Sequence, residues 1–355
     1  MPRCLLPYPG SEEVEYVTPP DQCRPDGPPQ PRREKLVSLS QPSGFKNFQD
    51  CQVCKSAVAG PPHECPNYRL NPSLLIRYKT VDKDTGRIHV NTYQIDAGKT
   101  FREAALRWYP RNEIACLDAL ILTHEHADAC FGLDDIRGFQ VGKNGQLPVY
   151  CSRRDLDSLE RRFDYLMPGF MQDKSVKRWV SQLDFNVIEP YKAFTLPGGL
   201  KIMPVMVWHG EDYECMGFMF GEHERIAYLS DVSRIPETTD VMLRGGPVPG
   251  STGDEGPREN GQSNGNGTSG DDDRFLDLLI VDCLFMDREH PTHFNFHQSM
   301  ACIRSLRPKR ALLVGMSHDF DYDSVNERLR TEREVLCGGA DVMMARDGLS
   351  LDVYL

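Results

Sequence analysis

A largely apolar run, Leu117–Leu122, passes without a break into Thr123-His124-Glu125-His126-Ala127-Asp128, and few folds accommodate that junction. The run has the length and composition of a buried strand. In an extended backbone, residues two apart face the same side, so His124 and His126 can aim two imidazoles at one point. Asp128 follows on the turn. Two neutral imidazoles and a carboxylate suit zinc, manganese or iron. Further donors fall where other predicted strands stop: His209 after Met203–Trp208, Asp231 after Ile226–Leu229, His293 beyond Leu276–Cys283, and His318 after Arg310–Val314. Taken singly, each of these residues reads as an ordinary polar side chain. Together they read as one metal centre, because sites in open α/β architectures form at the carboxyl ends of strands.

The 355 residues carry 41 basic and 52 acidic side chains, a net charge of −11. That balance argues against a general nucleic-acid binder, since phosphate contacts need clustered Lys and Arg. No apolar run approaches the roughly 18–20 residues of a bilayer helix. The longest candidate, Leu278–Met286, is shorter and carries Asp282. The twelve cysteines are scattered, and only Cys51-x-x-Cys54 forms a tight pair. The first residues contain no apolar stretch of signal-peptide length. The expected location is therefore cytoplasmic, with reduced thiols that can serve as metal ligands.

Residues 1–35, rich in Pro and charge, are expected to form a flexible extension. Residues 245–273, rich in Gly, Ser, Asn and Asp, are expected to form a disordered insertion. What remains, 36–355, reads as one large domain. Its predicted strands are Leu74–Lys79, His89–Ile95, Leu117–Leu122, Val180–Glu189, Leu200–Trp208, Met216–Phe220, Ile226–Leu229, Leu276–Cys283 and Arg310–Val314. Helical spacing covers Phe101–Trp108, Arg153–Leu166, Gln298–Leu306 and Asp323–Leu336, and Leu349–Tyr354 follows a last turn after Met343-Met344. Strands dominate early and helices interleave later, which points to an α/β fold with two sheets rather than one doubly wound sheet.

The order His124-x-His126-x-Asp128, His209, Asp231 resembles the metallo-β-lactamase superfamily. More narrowly, the chain resembles the phosphoribosyl cyclic phosphate phosphodiesterases of bacterial phosphonate breakdown. The matching stretches are Ile95-Asp96-Ala97-Gly98, Leu122–Asp128, Leu229-Ser230-Asp231, Val281-Asp282-Cys283, His293 with its spacing to Ser317-His318, and Asp347-Gly348-Leu349. The resemblance implies an αββα four-layer sandwich with the metal site at one edge. It implies a metal-dependent hydrolase in which a metal-activated water attacks a small cyclic or nucleotide-like phosphoester. By the same resemblance His124, His126 and His209 hold the first metal, Asp231 bridges to a second, and Asp128 binds that second metal. The cofactor would be zinc or manganese, one or two ions. Asp128 would also orient the attacking water or accept its proton, and His293 would donate a proton to the leaving group. Asp96 would support the site as a hydrogen-bond acceptor. Cys51, Cys54 and His318 would belong to a structural zinc site.

This sequence departs from that pattern at three places. Ala129 and Gly315 stand where the family usually has histidines of the second metal, which leaves that ion with Asp128 and Asp231 unless Asp134 or Asp135 joins. Gln49 stands where the relative has a zinc-binding cysteine, so the fourth ligand falls to Cys65, His63 or Cys23. Three functions stay open at this level: the phosphodiesterase; another hydrolase of the superfamily, for a thioester, a lactone or an RNA end; and a non-catalytic metal-binding relative. The expected partners are a small-molecule phosphoester and at most a second copy of the chain in a homodimer, with neither nucleic acid nor membrane. Gly98-Lys99-Thr100 lacks the upstream glycine spacing of a nucleotide-binding loop.

Overall fold

Period-two alternation in the central strands decides the layering. In Leu278–Asp282, Leu278 and Ile280 join one apolar cluster while Leu279 and Val281 join another. In Ala119–Ile121, Ala119 and Ile121 share the first of these clusters, and Leu120 packs into a third. Strands buried on both faces need covering layers on both sides. The structure, a computed structural model, describes residues 50–82, 84–140, 146–167, 180–249 and 274–355. The extension expected over 1–35 lies outside these residues, as does the insertion from residue 250 to 273.

The first part of the chain builds one sheet. Helix α1 (Gln52–Val58) precedes β1 (Leu74–Val81), β2 (Ile88–Ile95), α2 (Phe101–Trp108), β3 (Ala119–Ile121), the short α3 (Ala127–Cys130), β4 (Leu147–Cys151), α4 (Arg153–Arg162) and β5 (Leu183–Val187). The sheet runs β1-β2-β3-β4-β5, with an antiparallel β1–β2 hairpin and parallel pairs thereafter. The second part follows the same plan. Strands β6 (Phe194–Thr195), β7 (Lys201–Trp208), β8 (Glu214–Phe220) and β9 (Ile226–Leu229) lead to α5 (Glu237–Leu243) and β10 (Leu278–Asp282). Then come α6 (Phe296–Leu306), β11 (Arg310–Val314), α7 (Tyr322–Thr331), α8 (Arg333–Cys337) and β12 (Asp341–Met344). This sheet runs β12-β11-β10-β9-β8-β7-β6, parallel from β9 to β12 and antiparallel from β6 to β9.

Ile76, Tyr93, Ile95 and Ile121 of the first sheet meet Ile202, Phe218, Tyr228 and Ile280 of the second in a shared inner core. Outside the first sheet, Phe101, Leu156 and Leu159 cover Leu120 and Val149. Outside the second, Met300, Ile303, Val325 and Leu329 cover Leu279, Val281 and Leu313. The result is the αββα sandwich.

Several boundaries differ from the sequence expectation. Helix α4 stops at Arg162 and a short 3-10 turn, Asp164–Leu166, follows it. The helix expected over Asp323–Leu336 is two, α7 and α8, parted at Glu332. After the last turn, Leu349–Tyr354 joins no helix or strand and is tied to Glu224 through the Tyr354 backbone. Helices α1 and α5 carry too few periodic apolar residues to stand out in the sequence, and in β4 the alternating Leu147, Val149 and Cys151 are interrupted by Pro148. Leu313 is fully buried between β11 and its helices. Leu313→Ala should lower unfolding free energy by about 2–5 kcal/mol in urea titration, with no change in metal content.

Candidate metal centre

Strand β3 delivers the first donors. Beyond it the chain leaves the strand through bends at Thr123, Glu125 and His126, and His126, in extended conformation at φ −69°, ψ 160°, forms the N-cap of α3. The His124 and His126 rings lie 4.6 Å apart between centroids. His209 arrives from the other sheet, one residue past β7, with its ring 5.1 Å from His124 and 5.2 Å from His126. One ligand atom from each of the three lies within 4.8 Å of the others. A second group overlaps the first: His209, Asp231 past β9, and His293 before α6 also meet within 4.8 Å.

Hydrogen bonds set the tautomers. The Thr123 hydroxyl donates to Asp96 Oδ2 at 2.8 Å and lies 2.9 Å from His124 Nδ1. With its own proton spent on Asp96, the hydroxyl accepts the His124 Nδ1–H. His124 Nε2 is left buried with no hydrogen-bond partner. His209 Nδ1 donates to the Thr292 carbonyl at 2.8 Å, which leaves its Nε2 bare as well. Burial pulls the His209 imidazole down to about 4 and lowers His124 too, so both rings are neutral at pH 7. Burial works against charge on Asp231, but His124, His209 and His293 outweigh it and hold its carboxyl below the usual range. Bare neutral nitrogens facing an ionised carboxylate are the donor set of a divalent cation. The residues present therefore fit the ion.

Asp96 sits in the left-handed region at φ 60° and also accepts the Thr123 N–H at 2.8 Å. It thus anchors the strand end that carries His124. Asp128 is partly exposed and joins neither converging group, although its charge acts on His124 and His293. Its backbone is held by close approach to Gly98, where a Cβ would lie 1.8 Å from the Asp128 carbonyl oxygen. Asp134 and Asp135, on the 3-10 turn Leu133–Phe139, also join no group. The Ala129 carbonyl accepts from Ala97 N–H at 2.7 Å. Gly315 has φ +75°, and a Cβ there would lie 3.0 Å from Asp282 Oδ1. Neither position contributes a donor side chain.

His293 donates its Nδ1–H to Asp282 Oδ2 at 2.7 Å, and that oxygen also accepts the Val232 N–H at 3.0 Å. Burial pushes the fully enclosed Asp282 carboxyl up to about 7. Burial opposes charge on His293, yet Asp282, Asp231 and Asp128 together raise it. Sequence reading passed over Asp282 as a partner. The signal was there: one carboxylate closing an otherwise apolar strand. Tyr213 and Arg154 were missed too, because nothing local in the sequence marks them.

Apart from this site, Cys51 Sγ and Cys54 Sγ lie 3.3 and 3.6 Å from His318 Nδ1. Cys51 caps α1, and its thiol is lowered to about 7: burial raises it, but hydrogen bonds from Cys54 and His318 prevail. Cys65 turns its Sγ to the Ser56 carbonyl at 3.2 Å, and His63 pairs with Glu64. Neither is in the thiol group, and Cys23 lies outside the described residues.

Residues 91–248 match the model of the β-lactamase superfamily domain. A crystal structure described as a new diphosphatase from the PhnP family is 28% identical, covers 86% of this chain and 91% of its own, and superposes with TM-score 0.60. Zinc-bound PqqB from Methylobacterium extorquens, 17% identical, covers 85% of this chain and 93% of its own at TM-score 0.54, a likeness of fold. An octanoyltransferase of Porphyromonas gingivalis (strain ATCC BAA-308 / W83) is 25% identical over 268 residues, 76% of this chain. The chain spans only 42% of that relative's length. The match over residues 91–248, the fold and the histidine geometry identify a metallo-β-lactamase superfamily domain in this chain. Members of that superfamily are typically hydrolases that bind divalent metals, usually zinc. Among the described residues no helix is long and apolar enough to cross a membrane.

Gly98→Ala should displace Asp128. The expected result is a lower thermal midpoint, read by calorimetry. An unchanged midpoint would show that the Gly98–Asp128 approach is not tight.

Proposed function

We propose that the chain is a metal-dependent phosphoric diester hydrolase acting on a small cyclic or nucleotide-like phosphoester. The observation that carries this reading is the meeting of three imidazoles at one point beside the Asp282–His293 pair. His124, His126, His209 and Asp231 would hold a zinc or manganese ion. When bound, such an ion makes water acidic enough to act as a nucleophile near neutral pH and offsets charge on phosphoryl oxygens.

The protein's own groups supply the rest. His293, whose Nδ1–H is committed to Asp282, carries its mobile proton on Nε2 and gives it to the departing alkoxide. The buried Asp282 carboxylate keeps that ring oriented and supports its positive charge. Asp128 accepts the proton of the attacking water from its partly exposed position. The diphosphatase description of the relative at 28% identity supports phosphorus chemistry. The octanoyltransferase name belongs to a protein of which this chain spans 42%, so it favours no acyl chemistry here.

Bis(p-nitrophenyl) phosphate with added Mn²⁺ or Zn²⁺ tests the reading. His126→Ala should cut kcat/KM by more than about 100-fold, since loss of outer-shell partners alone costs 10–100-fold. Activity that survives this substitution would refute the assignment. The His293 role separates by leaving group. On an alkyl diester, His293→Ala should cost about 10²–10⁴ in kcat, and on a p-nitrophenyl ester far less, because that phenolate leaves without a proton. Equal losses on both would remove His293 as the donor. The site also offers one well-furnished set of ligands. Elemental analysis of a Cys51→Ser/Cys54→Ser variant should return one metal ion per chain, and two tightly held ions would contradict this.

A further inference from the structure

The three converging imidazoles are not held alike. His124 is fixed through Thr123 and His209 through the Thr292 carbonyl. Among the described residues no hydrogen bond fixes the His126 ring. What it has instead is Tyr213, stacked on it at 4.7 Å between centroids with 23° between the planes. We propose that Tyr213 is a positioning residue that fixes the His126 imidazole by stacking, held in place by the Glu125 carboxylate and the Arg154 guanidinium. This rests on the reading of the three histidines as one cation site.

Tyr213 is well placed for that task. It closes the β7–β8 hairpin opposite His209, whose N–H donates to the Tyr213 carbonyl at 2.9 Å, one step past the Trp208–Glu214 pair. Its ring therefore moves in register with His209, and it also meets the rings of His209 and His124 edge-on, at 5.7 and 6.1 Å. The Tyr213 hydroxyl donates to Glu125 Oε2, and Glu125 lies between the two ligands of the His-x-His segment. Arg154 on α4 places its guanidinium 4.0 Å from the Tyr213 ring centroid and 3.7 Å from Glu125 Oε2. The same guanidinium donates to the Glu214 carbonyl at 2.5 Å. Arg162, at the other end of α4, donates to the Glu125 carbonyl at 2.6 Å. Helix α4 thus grips both the His126 segment and the strand that carries Tyr213. A ring pinned at its hydroxyl and on its face has little freedom, so it can hold a neighbouring imidazole to one orientation.

The test is titration of metal-stripped protein with Co²⁺, read by the visible absorption of the bound ion, with the thermal midpoint of the metal-free protein as a check on folding. Tyr213→Leu should bind Co²⁺ about 10–100-fold more weakly, the usual cost of losing a group that orients a ligand, and should alter the spectrum. Tyr213→Phe keeps the stacked ring but loses the Glu125 anchor, and should weaken Co²⁺ binding by clearly less than Tyr213→Leu. Arg154→Gln, on a half-exposed position, loosens the same clamp without emptying the site and should weaken Co²⁺ binding as well. Wild-type affinity in both Tyr213→Leu and Arg154→Gln would overturn the proposal. A loss in Tyr213→Phe equal to that in Tyr213→Leu would also overturn it, because the hydroxyl rather than the stack would then be responsible. If the wild type binds no Co²⁺ through its histidines, the cation-site reading fails, and the proposal falls with it.

Discussion

A bare imidazole nitrogen sealed from water costs a fold about 1–3 kcal/mol, and His124 Nε2 is such an atom. Its Nδ1 cannot relieve the cost, because Thr123 and Asp96 hold it in a fixed hydrogen-bonded chain. His209 is bound the same way through Thr292. The buried ends of both rings are thus made into acceptors, and a cation is the partner that satisfies them together. The unfilled hydrogen-bonding capacity is a price of the site, carried by the two large sheets beneath it.

Those sheets also fix the distances. His124 and His126 leave the first sheet at β3, whereas His209, Asp231 and His293 leave the second beyond β7, β9 and β10. The donors meet because the two sheets share an inner core of Ile95, Ile121, Phe218, Tyr228 and Ile280, whose thickness sets how far apart the strand ends stand. A direct tie reinforces this, since Met216 N–H of β8 donates to the Thr123 carbonyl at 3.0 Å. The residue before the first ligand is therefore pinned to the opposite sheet.

Around the donors lies a ring of groups that only orient. Asp282 is the most demanding of these, a carboxylate with no exposed surface that holds His293 and the Val232 backbone. Glu125 and Asp155 form a second acidic pair behind His126. Burial and the shared hydrogen bond raise Asp155 to about 6. On Glu125, burial is outweighed by Asp155, Tyr213 and Arg154, which hold it down at about 2. Glu125 is therefore ionised and stays an acceptor for the Tyr213 hydroxyl.

Much of this molecule was legible in the chain alone. The two-residue spacing of His124 and His126 on an extended segment, and the habit of donors falling where apolar runs stop, gave the candidate ligands. Apolar runs such as Leu276–Cys283 gave buried strands. What could not be read was how side chains far apart in sequence are oriented and which neighbours hold them. Asp128 carries the motif but stands outside both converging groups. Asp282, Tyr213 and Arg154 look like ordinary strand and helix residues until the sheets bring them beside the imidazoles. Local sequence determined which atoms could be ligands, since side-chain chemistry and backbone periodicity are local properties. Only the packing of one sheet on the other decided which of those atoms meet and what holds them, since that depends on contacts no short segment contains.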